Sequence, residues 1–241
     1  MLVKRLLRVH RTPNTMWFDA LTPNDSWASL WNSYIRCGNC FGIRRVDGKC
    51  PACNATLPYS EPAEVRLEDG RVLRVPQALA GAEGRYEDWI YLRMLEHEWK
   101  RPLTDADRFL DIDERNRPAS RAVIAIVFWS YFETRIERLF REGMHKLPEA
   151  ISDDLLRHYS SVGSRLDRLY QIVFSGTYWK DLTDLGFDRV AILLQRLQKK
   201  RNEFSHGKPE AIDDKLISEL IANLKDEHEG WIAVFNKRAT R

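Results

Sequence analysis

The stretch Ala122–Phe140, AVIAIVFWSYFETRIERLF, sets the class of fold that this chain can adopt. It begins with the longest apolar run of the sequence, Ala122–Phe132, which only Ser130 interrupts. A bilayer needs about 20 apolar residues, so this shorter run predicts a helix in a protein core. Apolar residues continue at helical spacing as far as Phe140, which indicates one long helix within residues 119–145.

The rest of the carboxyl-terminal half repeats this helical pattern and predicts a mainly α fold. The chain has 241 residues, of which 44% are hydrophobic and 30% charged, enough for one helical core and a small additional module. The predicted helices cover residues 86–99, 119–145, 149–174, 187–206 and 210–237. Between the first two lies a polar connector, whose Asp111 and Asp113 suit turns because the glycine and distal glutamate of a calcium loop are missing.

The amino-terminal part predicts smaller elements. An aromatic and apolar stripe over Trp27–Tyr34 indicates a short helix. Two alternating runs on either side of Asp69-Gly70 predict a β-hairpin over residues 63–75. The predicted organisation is a basic segment with a zinc ribbon at 1–60, a hairpin and linker at 61–85, and a helical domain at 86–241.

The four cysteines of the chain form two CxxC pairs, a spacing that is typical of a metal site. Each pair can present two thiolates to one ion, so that the two pairs complete a closed tetrahedral zinc site. The residues between the pairs, Phe41–Lys49, can form a hairpin through Asp47-Gly48. The predicted ligands of one structural zinc ion per chain are Cys37, Cys40, Cys50 and Cys53.

Positive charge is concentrated near the amino terminus. Residues 1–60 carry eight Lys/Arg against three Asp/Glu, a net charge of +5, whereas the whole chain carries +3. Two roles stay open for the zinc ribbon: contact with nucleic acid, or bracing of the fold and contact with protein. Its basic residues are Arg36, Arg44, Arg45 and Lys49. The first residues, MLVKRLLRVH, carry too many charges for a signal peptide, which predicts a cytoplasmic protein without a membrane segment.

Two of the predicted helices each place one charge inside an apolar stripe. Glu133 does so in the helix over 119–145, and Arg201 does so in the helix over 187–206. A buried charge is costly unless it is paired, so the two residues form either a buried salt bridge or part of a cleft in which charge is used. Because buried ion pairs contribute little net stability, the second interpretation is favoured.

The helix that carries Arg201 ends in RNEFSHG, where His206 directly precedes the predicted glycine cap, Gly207. A guanidinium can bind a phosphate through two parallel hydrogen bonds, and an imidazole exchanges protons near neutral pH. These groups can cleave a phosphodiester without a metal ion. Residues five apart on an ideal helix point about 140° away from each other. Convergence on one phosphate therefore needs fraying of the helix end or the same motif from a second subunit.

The segment RNEFSHG resembles the signature of the HEPN family, in which an arginine and a polar residue are followed by a histidine. Arg201, Asn202 and His206 match this signature. The resemblance extends over residues 86–241, a helical domain with an acidic residue, Glu133, in an early apolar helix. It implies a HEPN-like helical bundle, a homodimer whose two motifs line one cleft, and metal-independent cleavage of RNA. It also implies a role as a toxin or an antiviral defence effector, with an antitoxin or defence-system partner.

The resemblance implies a role for each matching residue. His206 is the general acid or base, Arg201 stabilises the transition state, Asn202 positions phosphate or His206, and Glu133 orients Arg201. The zinc ribbon is not part of the family pattern. Two alternatives stay open: a non-catalytic HEPN-like scaffold that binds nucleic acid or protein, and an unrelated helical bundle in which Glu133 and Arg201 are a structural pair.

Overall fold

The chain divides into two compact units. The computed structural model describes residues 27–31, 34–37, 39–45, 48–55, 63–66, 71–75 and 86–240. One unit is Met1–Arg93 together with Thr240–Arg241, and the other is Met94–Ala239. The boundary lies inside helix α1, Tyr86–Lys100, which the sequence predicts as the first helix of the helical domain.

The amino-terminal unit contains two antiparallel hairpins. Strand β1, Tyr34–Arg36, pairs with β2, Ile43–Arg45, and β3, Ala63–Arg66, pairs with β4, Val72–Val75. The second pairing confirms the predicted hairpin over 63–75, whose Asp69-Gly70 turn lies outside the described residues.

The predicted short helix near the amino terminus is a 3-10 turn that ends earlier than expected. The turn covers Trp27–Trp31, and Tyr34 already begins strand β1. The two aromatic rings of Trp31 and Tyr34 meet edge to face, with their centroids 6.4 Å apart. Their apolar character therefore reflects packing between a turn and a strand, which the helical spacing alone cannot distinguish from one helix.

The other unit is helical and confirms the mainly α prediction. Its helices after α1 are α2 Val123–Gly143, α3 Glu149–His158, α4 at residues 162–174, α5 Tyr178–Asp184, α6 Asp188–Ser205, α7 Asp214–Ala222 and α8 Leu224–Arg238. Helix α4 contains one π-helical stretch, Arg165–Leu169. None of the helices in the described part of the chain is both long enough and apolar enough to cross a membrane.

Local capping divides two of the predicted helices. The predicted helix over 149–174 breaks before Ser161, whose side chain accepts a hydrogen bond from the backbone of Ser164 and so begins α4. The predicted helix over 210–237 begins later, because Asp213 caps α7, and it breaks at Asn223 between α7 and α8. Helix α5 was not predicted from the sequence; Thr177 caps it.

The core of the helical unit is built around α2, which packs against α4, α6 and α8. The apolar run that predicts this helix supplies the fully buried Phe128 and Phe132, and Phe140 follows further along. At the end of α2, a Cβ atom on Gly143 would lie 2.4 Å from the ring of Phe174. A glycine is therefore needed where α2 and α4 approach each other.

The polar connector between α1 and α2 forms turns, as its sequence indicates. It contains two 3-10 turns, Ala106–Arg108 and Glu114–Asn116. The side chain of Asp113 accepts a hydrogen bond from the backbone of Arg115 at 2.8 Å, which caps the second turn.

Candidate functional site

The first CxxC pair forms the turn of the hairpin β1–β2 in the segment 34–55, here called the cysteine ribbon. Arg36 lies opposite Ile43 in this hairpin, so the chain reverses through the residues that include both cysteines of the pair. The expected hairpin within Phe41–Lys49 is wrong, because β2 takes the upstream strand β1 as its partner. Asp47, part of the expected turn, lies outside the described residues.

The four sulfur atoms lie close enough together to hold one metal ion. The Sγ atoms of Cys37 and Cys53 are 3.7 Å apart, and those of Cys40 and Cys50 are 3.5 Å apart. All four lie within 4.8 Å of one another, and all are free thiols. A tetrahedral ion with metal–sulfur bonds of about 2.3 Å holds its ligands about 3.8 Å apart, so the observed spacing fits such an ion.

Burial and hydrogen bonding give these thiols different pKa values. Burial raises the pKa of Cys40 to about 12 and also raises the pKa of Cys50. Hydrogen bonds from the side chain of Asn39 and the backbone of Ala55 lower the pKa of Cys53 to about 6. A bound cation stabilises thiolates and so offsets the cost of ionising the buried sulfurs. Four protein ligands leave no open coordination position, so such a site is structural.

Only some of the basic residues of the cysteine ribbon face outward. Arg44 is 4% exposed and donates from Nη1 to the carbonyl oxygen of Ala55 at 3.1 Å, which braces the second CxxC turn. Arg36 donates to the carbonyl oxygen of Phe41 at 2.8 Å. Arg45 and Lys49 are exposed. The guanidinium of Arg44 is therefore buried against the backbone of the ribbon and fits the bracing role, whereas both roles stay open for the other basic residues.

The motif Arg201, Asn202 and His206 lies at the carboxyl end of α6, with His206 as the C-cap. Gly207 follows with φ +88°, which confirms the predicted glycine cap. The backbone of Gly207 donates to the carbonyl oxygen of Phe204 and that of Lys208 donates to Glu203, both at 3.1 Å. This pair of hydrogen bonds is a Schellman motif, so the helix end is closed by its own backbone without using the side chain of His206.

The apolar stripe of α6 loses its burial as it reaches the motif. Its earlier members are buried, whereas Arg201 is half-buried, and Asn202 and His206 are exposed. Lys199 is exposed one turn before Asn202 on the same face. The buried members of the stripe are Val190, Leu193, Leu194 and Leu197. Arg201 therefore stands where the stripe meets the surface.

The guanidinium of Arg201 makes only one side-chain hydrogen bond within the described part of the chain. Arg201 donates from Nη1 to Oδ1 of Asn202 at 3.4 Å, a long contact. Its Nε is buried and has no acceptor in the described part of the chain. Phosphate oxygens are strong acceptors for a guanidinium.

Glu133 is not the partner of Arg201. It is half-buried on α2, and across the residues that the structure describes it forms no ion pair with Arg201. Of the two buried arginines of α2, Arg135 and Arg138, Arg135 pairs with Glu227 on α8, with exposed side-chain fractions of 0% and 1%. Residues two apart on a helix point about 200° away from each other, so Glu133 and Arg135 face different neighbours.

The same rule that selected Glu133 could have found this ion pair. Arg135 follows Phe128 and Tyr131 at helical spacing on α2, and Glu227 lies between Leu224 and Trp231 on α8. Both positions therefore interrupt apolar stripes with charges of opposite sign. The sequence offers several such interruptions, and nothing in the spacing tells which two of them meet.

The structure thus presents a cysteine site and a polar helix end, each within one unit. Comparison of the chain with models of protein families, with curated proteins and with solved structures gives no match.

Proposed function

We propose that this protein is a metal-independent endoribonuclease of the HEPN type, with its reactive groups at Arg201, Asn202 and His206. The observation that carries the proposal is the position of a half-buried arginine, Arg201, beside two exposed polar side chains, Asn202 and His206, at the end of α6. The resemblance in RNEFSHG and the mainly helical unit around it support the same conclusion.

The chemistry needs only groups that the motif supplies. His206 takes the proton from a ribose 2′-hydroxyl, whose oxygen attacks the adjacent phosphorus, or it gives a proton to the departing 5′-oxygen. Arg201 stabilises the extra negative charge on the phosphoryl oxygens in the transition state. Asn202 positions the phosphate. The products are a 2′,3′-cyclic phosphate and a 5′-hydroxyl end, and Lys199 adds positive charge on the same face of α6.

Two copies of the chain build the site. Arg201 and His206 are five residues apart on a helix that stays regular up to its cap, so their side chains point about 140° away from each other. A two-fold axis beside the end of α6 brings Arg201 of one copy towards His206 of the other. The closed helix end argues against fraying as the way to bring the two residues of one chain together.

The remaining assignments complete the proposal. The cysteine ribbon holds one structural zinc ion, because four thiolates in a tetrahedral arrangement suit zinc. The helical unit is a HEPN-like bundle, and the protein acts in the cytoplasm as a toxin or a defence effector that an antitoxin or defence-system partner restrains. Glu133 has no catalytic role in this mechanism, because Arg201 does not pair with it.

Incubation of the purified protein with single-stranded RNA in EDTA tests the proposal. We expect cleavage with the product ends given above, and no cleavage of single-stranded DNA, which lacks the 2′-hydroxyl. His206→Ala should reduce the rate roughly 10²–10⁴-fold, the usual effect of removing a general acid or base. His158→Ala is the matched control, because His158 is an exposed histidine that ends α3.

Variants of Arg201 and Glu133 distinguish a loss of catalysis from a loss of stability. Arg201→Ala should remove cleavage with little change in the free energy of unfolding, and Glu133→Gln should leave cleavage as in the wild type. RNA that binds but stays intact, or cleavage that His206→Ala does not affect, would favour a non-catalytic scaffold instead.

A further inference from the structure

Positive charge is concentrated at the carboxyl end of α6. Residues 196–208 hold five basic side chains and a single acidic one, that of Glu203. Two of the basic residues have carboxylate partners within the fold, because Arg196 pairs with Glu219 on α7 and Lys200 pairs with Glu203 at 3.5 Å. The remaining positive charge lies at the motif and suits a polyanionic ligand.

Lys199 and Lys208 contribute this remaining charge together with Arg201. Both lysines are exposed, and within the residues that the structure describes neither side chain takes part in an ion pair or a hydrogen bond. Lys208 follows the helix, and its backbone closes the Schellman motif. Lys199 lies inside the helix, so its position relative to His206 follows from helix geometry.

Lys199 and His206 leave the same face of α6. Because they are seven residues apart, their side chains start about 20° apart around the axis and their Cα atoms lie about 10 Å apart along it. Two turns of helix therefore separate the ammonium of Lys199 from the imidazole. A group that transfers a proton must come within about 3 Å of the atoms that react. The position of Lys199 thus suits a neighbouring phosphate of a bound strand rather than the cleaved one.

We propose that the RNA strand runs along the exposed face of α6 and that Lys199 binds a phosphate about 10 Å from the one that is cleaved at His206. The inference rests on the proposed function, which places the cleaved phosphate at His206. Lys199 is then a positioning residue for the substrate and takes no part in proton transfer. A contact between a lysine and a phosphate carries no information about the bases. The substrate is therefore a single strand longer than a dinucleotide, which α6 binds through its phosphates whatever its sequence.

Fluorescence anisotropy on the full-length protein tests this contact in the absence of cleavage. The labelled probes are a 2′-O-methyl oligouridylate and a 2′-O-methyl oligoadenylate of equal length, whose blocked 2′-oxygens cannot attack phosphorus. Lys199→Gln should weaken binding of both probes alike, roughly 5-fold at about 0.1 M salt. It should also reduce the slope of log Kd against log salt concentration by about 0.7, the effect of one phosphate contact on a single strand.

Lys146→Gln is the matched control, because it removes the same charge from a distant part of the surface. Lys146 is exposed and follows the carboxyl end of α2. The start of α2 lies near the end of α6, since the backbone of Ala119 donates to the carbonyl oxygen of Ile212 at 2.8 Å. The length of α2, about 30 Å, therefore separates Lys146 from the motif. This variant should keep the affinity and the salt dependence of the wild type.

Steady-state cleavage distinguishes the role of Lys199 from that of the catalytic groups. With an oligonucleotide that the wild type cleaves, Lys199→Gln should raise KM roughly 5-fold and leave kcat unchanged, because the contact is equally strong in the ground state and the transition state. With the dinucleotide of the cleaved step, whose single phosphate occupies the cleavage site, Lys199→Gln should leave KM unchanged. His206→Ala should lower kcat and keep the salt dependence of probe binding.

The outcomes for Lys199 and for cleavage can be told apart. A wild-type salt slope in Lys199→Gln would overturn the inference even if the wild type cleaves RNA. An equal rise in KM for the dinucleotide would also overturn it, as would a loss of homodimers in light scattering, which would make Lys199 an interface residue. A wild type that cleaves nothing, but whose salt slope Lys199→Gln reduces, would contradict the proposed function and still support the phosphate contact of Lys199.

Discussion

Arg135 and Glu227 form an ion pair inside the helical unit, in which Nη2 of Arg135 donates to both carboxylate oxygens of Glu227, at 2.6 and 2.7 Å. The pair joins α2 to α8. The guanidinium carbon of Arg135 lies 3.9 Å from the ring centroid of Tyr131 and 5.6 Å from that of Trp231. Burial raises the pKa of Glu227, and the attraction of Arg135 acts in the opposite direction.

Removal of one member of this pair should destabilise the protein strongly. Arg135→Met leaves the Glu227 carboxylate buried without its partner, which typically costs about 3–5 kcal/mol. The double variant Arg135→Met/Glu227→Met removes both charges and should recover most of the loss, because a well-packed apolar pair often replaces a buried ion pair without cost. Urea denaturation of the wild type, the single variant and the double variant gives their free energies of unfolding.

An exposed ion pair supplies the control for that experiment. Arg157 and Asp154 pair on α3 with exposed side-chain fractions of 78% and 72%. Arg157→Met should barely change the free energy of unfolding, because surface pairs contribute little. If Arg135→Met cost no more than Arg157→Met, the Arg135–Glu227 pair would not stabilise the fold.

Asp181 should make stability depend on pH in the acid range. Burial raises its pKa, but hydrogen bonds from Arg238, Lys237 and Tyr170 prevail and lower it from 3.8 to about 2. A carboxyl group whose pKa is lower in the folded state stabilises the protein above its unfolded pKa, and the stabilisation is lost as pH falls through the folded pKa. We therefore expect about 2 kcal/mol to be lost between pH 4 and pH 2.

Urea denaturation at a series of pH values measures this loss. Asp181→Asn should be less stable than the wild type near neutral pH and should flatten the curve between pH 4 and pH 2. Asp154→Asn controls for the removal of one negative charge from the surface. If the free energy of unfolding of Asp181→Asn fell between pH 4 and pH 2 as steeply as that of the wild type, other carboxyl groups would be responsible for the acid sensitivity.

The cysteine ribbon should hold one zinc ion per chain. Elemental analysis of the purified protein measures the metal, and a thiol reagent should react with the cysteines only after a chelator has removed it. Cys40→Ser replaces a buried ligand and should lose the ion. A folded protein without metal, or one with two disulfides, would contradict this prediction.

Features that depend on local spacing could be predicted from the sequence. The apolar run of α2 indicates a buried helix whatever its neighbours are, and the paired CxxC spacing brings thiolates together through short turns. Gly207 ends α6 because only the left-handed conformation closes the helix there. Each of these conclusions follows from a few consecutive residues and needs no knowledge of the tertiary structure.

Features that depend on tertiary partners could not be predicted in this way. Helical spacing places Glu133, Arg135 and Arg201 within or beside apolar stripes, but the choice of partner depends on how α2, α6 and α8 cross. The break between α7 and α8 at Asn223 carries no glycine or proline signal. Charges in stripes therefore identify candidate residues, and only the packed structure decides between an ion pair and an exposed site.

The composite site of two subunits gives a prediction that a site within one chain does not. Arg201→Ala and His206→Ala should each be inactive alone. If Arg201 of one copy acts with His206 of the other, a mixed dimer of the two variants keeps one intact combination of both residues. An equimolar mixture that is unfolded and refolded together should then recover about a quarter of wild-type cleavage, because half of the dimers are mixed and each contains one of two intact sites. The mixture of separately refolded variants is the control, and light scattering should show dimers in both. A co-refolded mixture that stays inactive would place both residues of each site in the same chain.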